Sequence, residues 1–137
     1  MNLNSYFGSL FVSYSEKSYI LVVDDIPDNI FLLQTILESE GYAVDSAFSG
    51  GSALSKIQAA PPGLVLLDVM MPDMSGYEVT QHIRQDQNLP FIPIVLVTAY
   101  DEPSADQGFA VGANDFIRKP IDTDKLLTTV SELLRSR

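Results

Sequence analysis

Five polar residues of this sequence stand where short apolar runs end. Asp24 and Asp25 follow YILVV, and Asp68 follows LVLL. Thr98 follows IPIVLV, and Lys119 comes shortly after FI. A carboxylate at the end of a buried strand costs free energy unless something uses its charge. Three carboxylates, one hydroxyl and one ammonium group could together hold a divalent cation and surround a phosphoryl group.

The three carboxylates predict a metal site, because like charges held close together resist joint ionisation. Two of them, with a backbone carbonyl and water, offer the hard oxygen ligands that Mg²⁺ prefers. The third, Asp68, could then stay ionised and attack phosphorus without a general base. Lys119 and the Thr98 hydroxyl would join Mg²⁺ around the phosphoryl oxygens, where charge must be stabilised. These residue types therefore point to phosphorylation of Asp68.

These side chains can meet only if the apolar runs belong to one sheet. Five runs have the length and composition of strands, the second of them an edge strand: 19–23, 42–47, 64–67, 92–97 and 116–117. Five amphipathic stretches predict helices: 28–40, 50–60, 75–85, 103–111 and 122–135. This alternation predicts an α/β fold, a doubly wound five-stranded parallel sheet with helices on both faces. In such a sheet, functional groups gather at the carboxyl ends of the strands.

Composition excludes several classes of function. The chain has 137 residues, enough for one domain. Eight basic and eighteen acidic residues give a net charge of −10, which opposes direct binding to nucleic acid or an anionic membrane. The absence of cysteine excludes disulfides, zinc thiolates and cysteine nucleophiles. No apolar stretch has the length of a membrane span, and the first residues make a poor signal peptide, so a soluble cytoplasmic protein is expected.

Four stretches resemble the receiver domain of two-component response regulators: ILVVDD (20–25), LLDVMMPDMSG (66–76), PIVLVTA (93–99) and GANDFIRKP (112–120). They occur in the family's order, each at a predicted strand. We expect a receiver domain at 17–137, preceded by an N-terminal extension at 1–16. The resemblance implies a flavodoxin-like strand order, 2-1-3-4-5. It also implies a phosphoacceptor rather than a turnover enzyme, with a sensor histidine kinase or phosphotransfer protein as its phosphoryl donor.

The resemblance assigns the metal and the phosphoacceptor to particular residues. In the family, the acidic pair matching Asp24 and Asp25 binds Mg²⁺, chiefly through the second residue. The residue matching Met70 adds its backbone carbonyl to the metal, and the phosphoacceptor Asp68 completes the protein's ligands. Mg²⁺ is thus the cofactor that the resemblance implies.

The resemblance also implies how the phosphoryl group is held and sensed. The residue matching Lys119 holds the phosphoryl group, and a cis bond to Pro120 aims it inwards. The residues matching Thr98 and Phe116 change conformation together. That change reshapes the surface of helix 4, strand 5 and helix 5, where we expect an effector or a second copy of the chain to bind.

Two positions differ from the family's usual pattern. The switch aromatic is often Tyr, whereas Phe116 has no hydroxyl, and Ile121 stands where an aromatic often follows Lys-Pro. These differences leave the chemistry intact but leave open the subfamily, the output and the mode of dimerisation. The stretch DDIPDNIFLL resembles receivers attached to histidine kinases or cyclic-nucleotide enzymes more than those of DNA-binding regulators. The domain either works alone or is the receiver segment of a larger protein such as a hybrid kinase.

Other interpretations compete with this one. A phosphatase of the haloacid dehalogenase type needs a second Asp two residues after its nucleophile, where this sequence has Met70. A nucleotide-binding module needs a Gly- or Ser/Thr-rich loop after strand 1, where DDIPDN is acidic. A degenerate receiver is disfavoured by the complete set of site residues. Taken singly, Asp24 and Asp25 could cap a helix and Phe116 could be simple core, while His82 is expected at the surface.

Overall fold

The computed structural model describes residues 19–99 and 105–135, in which five strands alternate with five helices. The strands are β1 Ile20–Val23, β2 Val44–Ala47, β3 Leu64–Asp68, β4 Ile94–Thr98 and β5 Asp115–Arg118. The helices are α1 Pro27–Ser39, α2 Gly50–Ala59, α3 Gly76–Gln85, α4 Ala105–Val111 and α5 Thr123–Arg135. The predicted alternation is confirmed. The predicted extension 1–16 and the first two positions of the predicted helix 103–111 lie outside the described residues.

The five strands form one parallel sheet in the order β2-β1-β3-β4-β5. This confirms both the predicted order and the edge position of the strand predicted at 42–47. β1 and β3 are neighbours although β2 lies between them in sequence, because the chain reverses its direction of winding there. The carboxyl ends of β1 and β3 therefore flank the crevice at which sheets of this kind bind ligands.

Successive residues of the inner strands point to opposite faces of the sheet, and both faces are covered. Leu67 and Leu96 pack with buried side chains of α2 and α3. Leu66 and Val97 pack with α1 and α5 on the other face. Burial on both sides explains why these strands are apolar throughout instead of alternating with polar residues. It also leaves the ends of the strands as the places where polar side chains can gather.

The helix ends follow local rules that the sequence displays. Ser75 caps α3: its hydroxyl oxygen accepts the Glu78 N–H at 3.1 Å, and its own N–H donates to Glu78 Oε1 at 2.8 Å. Gly41 and Gly112 follow α1 and α4 with φ of 92° and 106°, a region that favours glycine. Within the part of the chain that the structure describes, no helix combines the length and apolar character needed to cross a membrane.

Candidate functional site

The pairing of β1 with β3 brings two of the predicted carboxylates together. Val23 is the register partner of Leu67, so Asp24 and Asp68 leave the sheet side by side. Both are buried, while Asp25 is partly exposed at the mouth of the crevice. One carboxylate oxygen from each of the three residues lies within 4.8 Å of the others. The fold thus concentrates three acidic groups at one point of the carboxyl edge.

Lys119 is the cation of this cluster. Its Nζ lies 3.1 Å from Asp68 Oδ1 and 3.4 Å from Asp24 Oδ2. The Lys119–Pro120 peptide bond is cis, and the Lys119 N–H donates to the Thr98 carbonyl at 2.8 Å. Burial disfavours the charged ammonium, but the hydrogen bond and charge of Asp68, together with Asp24, outweigh it and raise the pKa of Lys119. One ammonium thus contacts two of the three clustered carboxylates, and the site keeps an excess of negative charge.

Burial and this excess of negative charge both act on the Asp68 carboxyl. Burial first, and then the charge of Asp24, raise the pKa of the Asp68 carboxyl to about 6. The hydrogen bond and charge of Lys119 pull in the opposite direction but offset only part of the effect. A divalent cation between the carboxylates would remove this repulsion, since a bound metal is the largest local charge in such a site.

The donor atoms suit a hard cation such as Mg²⁺, because they are all carboxylate oxygens. Among residues 19–99 and 105–135, this is the only group of three or more acidic, histidine or cysteine side chains close enough to share a metal ion. Met70 lies two residues beyond Asp68, and its side chain is 62% exposed. Its thioether is a poor ligand for magnesium, so only its backbone could serve.

Asp24 also organises the turn that leads into α1. Its Oδ1 accepts the Ile26 N–H at 2.9 Å, and its Oδ2 accepts from Asn29 Nδ2 at 3.2 Å. The N-cap of α1 is Ile26, which makes no side-chain cap bond, so Asp24 braces the turn instead of capping the helix. Asn29 was not singled out from the sequence, although its place in the first turn of the helix after the acidic pair could have indicated the contact.

Thr98 ends β4 opposite Arg118, whereas Phe116 lies opposite Leu96 on β5 and contacts α4. Thr98 is buried, and its hydroxyl donates a long hydrogen bond of 3.3 Å to the Ala99 carbonyl. Phe116 is half-buried and meets the Phe109 ring edge-on, with 5.4 Å between centroids. A Cβ at Gly108 would lie 2.5 Å from Phe116 Cζ, so the ring occupies space that only a glycine leaves free. His82 is exposed on α3, as the sequence predicted.

The segment between β3 and α3 returns tightly to the strand it leaves. The Gly76 N–H donates to the Val69 carbonyl at 2.8 Å. A side chain at Gly76 would collide with the Asp68 carbonyl oxygen and approach Val69 Cα to 3.0 Å. Asp73, in the same segment, accepts hydrogen bonds from the backbone of Gly50 and Gly51 at 3.1 and 3.0 Å. Sequence reasoning missed this contact, because Pro-Asp after a strand is typical of an ordinary turn.

Comparison with known proteins agrees with this arrangement. The sequence model of the response regulator receiver domain matches residues 20–131. Response regulator PleD of Caulobacter vibrioides is 44% identical over 117 residues, which are 85% of this chain and 26% of PleD. Protein PilH of Pseudomonas aeruginosa is 34% identical over 116 residues, 84% of this chain and 96% of PilH. The chain therefore spans about a quarter of one curated relative and nearly the whole of another.

A solved structure shows the same fold. The crystal structure of a putative response regulator from Chloroflexus aurantiacus superposes with a TM-score of 0.82 at 34% sequence identity. The match covers 86% of this chain and 98% of the other. The strand order, the acidic crevice at the carboxyl edge and these similarities lead to one conclusion: the chain belongs to the response regulator receiver domain family of two-component signalling.

Proposed function

We propose that Asp68 is the phosphoacceptor of this receiver domain and that Asp24, Asp25, Asp68 and the Met70 backbone carbonyl hold Mg²⁺. The observation that carries the proposal is the cluster itself. Three carboxylates lie within 4.8 Å of one another, with the Lys119 ammonium 3.1 Å from Asp68. A buried cluster with this excess of negative charge destabilises the fold, so a structural role alone does not explain it. A role in phosphoryl transfer does explain it.

Each side chain has a distinct task in the transfer. A carboxylate oxygen of Asp68 forms a bond to phosphorus while the bond from phosphorus to the donor breaks, with its electron pair leaving on the donor. When the donor is phosphohistidine, the leaving group is an imidazole nitrogen. Lys119 turns its ammonium from the carboxylates to the phosphoryl oxygens, and the Thr98 hydroxyl donates to another of them. Bound Mg²⁺ supplies positive charge that neutralises the carboxylates and polarises the phosphoryl group.

Phosphorylation would be read out through Thr98 and Phe116. A charge-assisted hydrogen bond from the Thr98 hydroxyl to a phosphoryl oxygen contributes roughly 1.5–3 kcal/mol, enough to make a minor conformer the major one. Movement of Thr98 vacates space towards which the Phe116 ring can turn. Because Phe116 has no hydroxyl, its two positions differ mainly in packing. The unphosphorylated protein should therefore already sample the active state.

The surface formed by α4, β5 and α5 is the proposed site for an effector or a second copy of the chain. A groove there is lined by Phe109, Phe116, Arg118 and Lys125, among others. Phe109 is exposed and touches the Phe116 ring, so movement of Phe116 would change this groove. The proposed phosphoryl donor is a sensor histidine kinase or phosphotransfer protein. Neither nucleic acid nor a membrane is a proposed partner of the domain.

Labelling with a small phosphodonor tests the site. Wild-type protein should take up one phosphoryl group per chain when Mg²⁺ is present, and Asp68→Asn should take up none. Asp86→Asn, which removes a carboxylate at the end of α3, serves as the matched control and should label like wild type. Beryllofluoride should bind only with Mg²⁺. A label on a residue other than Asp68 would overturn the assignment, and sustained turnover of an aryl phosphate would point to a phosphatase instead.

A further inference from the structure

We propose that Asp73 is a positioning residue for the magnesium site, because it fastens the segment between β3 and α3 to the first turn of α2. This inference rests on the proposed function, in which the Met70 carbonyl of that segment binds the metal. The hydrogen bonds of Asp73 go to the backbone of Gly50 and Gly51, not to the carboxylate cluster or Lys119. Its effect would pass through the backbone of residues 69–76.

The contact joins parts of the chain that are far apart in sequence. Asp73 Oδ1 accepts the Gly50 N–H at 3.1 Å, and Oδ2 accepts the Gly51 N–H at 3.0 Å. Both donors belong to the first turn of α2, where N–H groups have no partner within the helix. The hydrogen bonds from Gly51 and then Gly50 hold the pKa of the Asp73 carboxyl below its usual range, so the carboxylate stays charged at neutral pH.

Small residues make this close approach possible. A Cβ at Gly50 would lie 2.9 Å from Met74 Cβ and 3.0 Å from Val79 Cγ2. A Cβ at Gly51 would lie 3.8 Å from Asp73 Oδ2, in ordinary contact. The glycine at position 50 is thus required by the segment that Asp73 fastens. In the sequence, Gly50-Gly51 is only the start of a predicted helix. In the structure, the two N–H groups of this pair donate to the Asp73 carboxylate.

Capping of α2 alone does not account for Asp73. The helix already has its own N-cap, since the Ser49 hydroxyl oxygen accepts the Ser52 N–H at 3.1 Å. What Asp73 adds is a fixed distance between α2 and the segment that carries Met70. That segment is closed at its base by the bond from Gly76 to Val69, and at its exit by the Ser75 cap. Asp73 fixes it between these two points, three residues after Met70.

A ligand carbonyl on a loosened segment must be ordered at the moment the metal binds, and this lowers affinity. Residues that orient metal ligands from outside the first coordination shell typically change affinity 10- to 100-fold when they are replaced. Asp73 acts at a distance of three residues, so the lower end of that range applies. We expect Asp73→Ala to raise the Mg²⁺ dissociation constant about tenfold. At saturating Mg²⁺, the rate of Asp68 labelling should return close to the wild-type rate.

The matched control is Glu78→Ala. Glu78 is also a carboxylate that accepts a backbone N–H in this region, at 2.8 Å from Ser75, but it fastens the segment to α3 only. Mg²⁺ affinity is measured by titrating the magnesium-free 137-residue proteins and following backbone amide NMR signals. The free energy of unfolding without Mg²⁺ is measured in parallel. Both variants should be less stable than wild type, whereas only Asp73→Ala should bind Mg²⁺ more weakly.

The outcomes separate the two proposals. Wild-type affinity in Asp73→Ala would overturn the positioning role, and so would an equal loss in Glu78→Ala, because the cause would then be general destabilisation. A wild-type protein that fails to bind Mg²⁺ would remove the proposed function as well. If Asp73→Ala does not fold, Asp73→Asn replaces it. The amide keeps one acceptor oxygen, so a smaller loss of affinity supports the proposal and no loss contradicts it.

Discussion

At the amino edge of the sheet one cation meets three oxygen acceptors, whereas at the carboxyl edge one cation contacts two carboxylates of a cluster of three. The amino-edge cation is Arg84, at the end of α3. Its guanidinium donates to the carbonyls of Gly112 at 2.9 Å and Ile92 at 2.8 Å, and to Asn114 Oδ1 at 2.9 Å. It also lies over the Phe91 ring, 4.8 Å from the centroid.

The two edges differ in what their polar groups achieve. Arg84 joins α3, the start of β4 and the turn before β5 through geometry that suits a planar, forked donor. The carboxyl edge keeps repulsion that Lys119 cannot cancel, and burial together with this repulsion raises the pKa of Asp68. The comparison indicates that polar contacts at the amino edge stabilise the fold, whereas those at the carboxyl edge are arranged to bind a ligand.

Replacing Arg84 should have the largest effect on stability. Arg84→Ala leaves the carbonyls of Gly112 and the buried Ile92 without this donor and removes packing against Phe91. We therefore expect the free energy of unfolding to fall by about 3 kcal/mol. Arg84→Lys keeps the charge but not the fork and should recover only part of the loss. Chemical denaturation measures both, with the exposed Arg135→Ala as control. A loss below that of the control would break the contrast between the edges.

The second prediction concerns pH. The folded pKa of Asp68, about 6, lies above its ordinary value of 3.8, so the neutral carboxyl is favoured in the folded state. The contribution of the Asp68 carboxyl to the free energy of unfolding is therefore fully present below about pH 4. It is lost as the pH rises through 6. Without Mg²⁺, Asp68→Asn should match wild type near pH 4 and exceed it by roughly 2–3 kcal/mol above pH 7. Thermal unfolding measured across this pH range tests the prediction, with Asp106→Asn as control. The prediction is contradicted if the stability of wild type and of Asp68→Asn changes with pH in the same way.

The third prediction concerns the smaller effect of Mg²⁺ on the free energy of unfolding. At ten times its dissociation constant, Mg²⁺ should stabilise the wild-type fold by about 1.4 kcal/mol. Asp25→Asn should stabilise the metal-free protein, because it removes one of three like charges, and should weaken Mg²⁺ binding. Asp28→Asn is the matched control, since Asp28 is an exposed carboxylate in the first turn of α1. Equal magnesium stabilisation of wild type and Asp25→Asn would show that the carboxyl edge is not the metal site.

The smallest change in stability should come from Thr98→Ala, although it bears directly on signalling. Removing the hydroxyl leaves Asp68 and the carboxylates in place, so beryllofluoride should still bind with Mg²⁺. The response of α4 and β5 should be lost, because Thr98 would no longer be drawn towards the phosphoryl mimic. Hydrogen exchange across residues 105–118 measures this. The coupling does not operate if beryllofluoride changes exchange equally in wild type and Thr98→Ala.

Much of the fold follows from patterns that are local in sequence. The apolar strands, Ser75 as a helix cap and the glycines at positions 41 and 112 could all be interpreted where they stand. The bounds were less accurate, since Asp68 and Thr98 are the last residues of β3 and β4 instead of the first beyond them. Strand pairing extends as far as the neighbouring strand supplies partners, and the sequence of a single strand does not contain that information.

The polar contacts between distant segments were not predictable in the same way. Arg84 lies in a predicted helix, and nothing local indicates that its acceptors come from residues 92, 112 and 114. Asp73 and Asn29 likewise look like common turn and helix-start residues until the fold brings Gly50 and Asp24 to them. The acidic site was predictable because its residues follow strands, and parallel strands end at one edge. Contacts without such a rule depend on the completed tertiary structure.

The glycine at position 108 has a consequence for sequence variation. A Cβ there would lie 2.5 Å from Phe116 Cζ and 2.7 Å from Leu96 Cδ1, so the aromatic ring and any side chain at 108 compete for one volume. Substituting alanine at 108 would exclude the present ring position unless residue 116 became smaller. The two positions are therefore expected to vary together during evolution, and a mutant library that changes only one of them would miss the viable combinations.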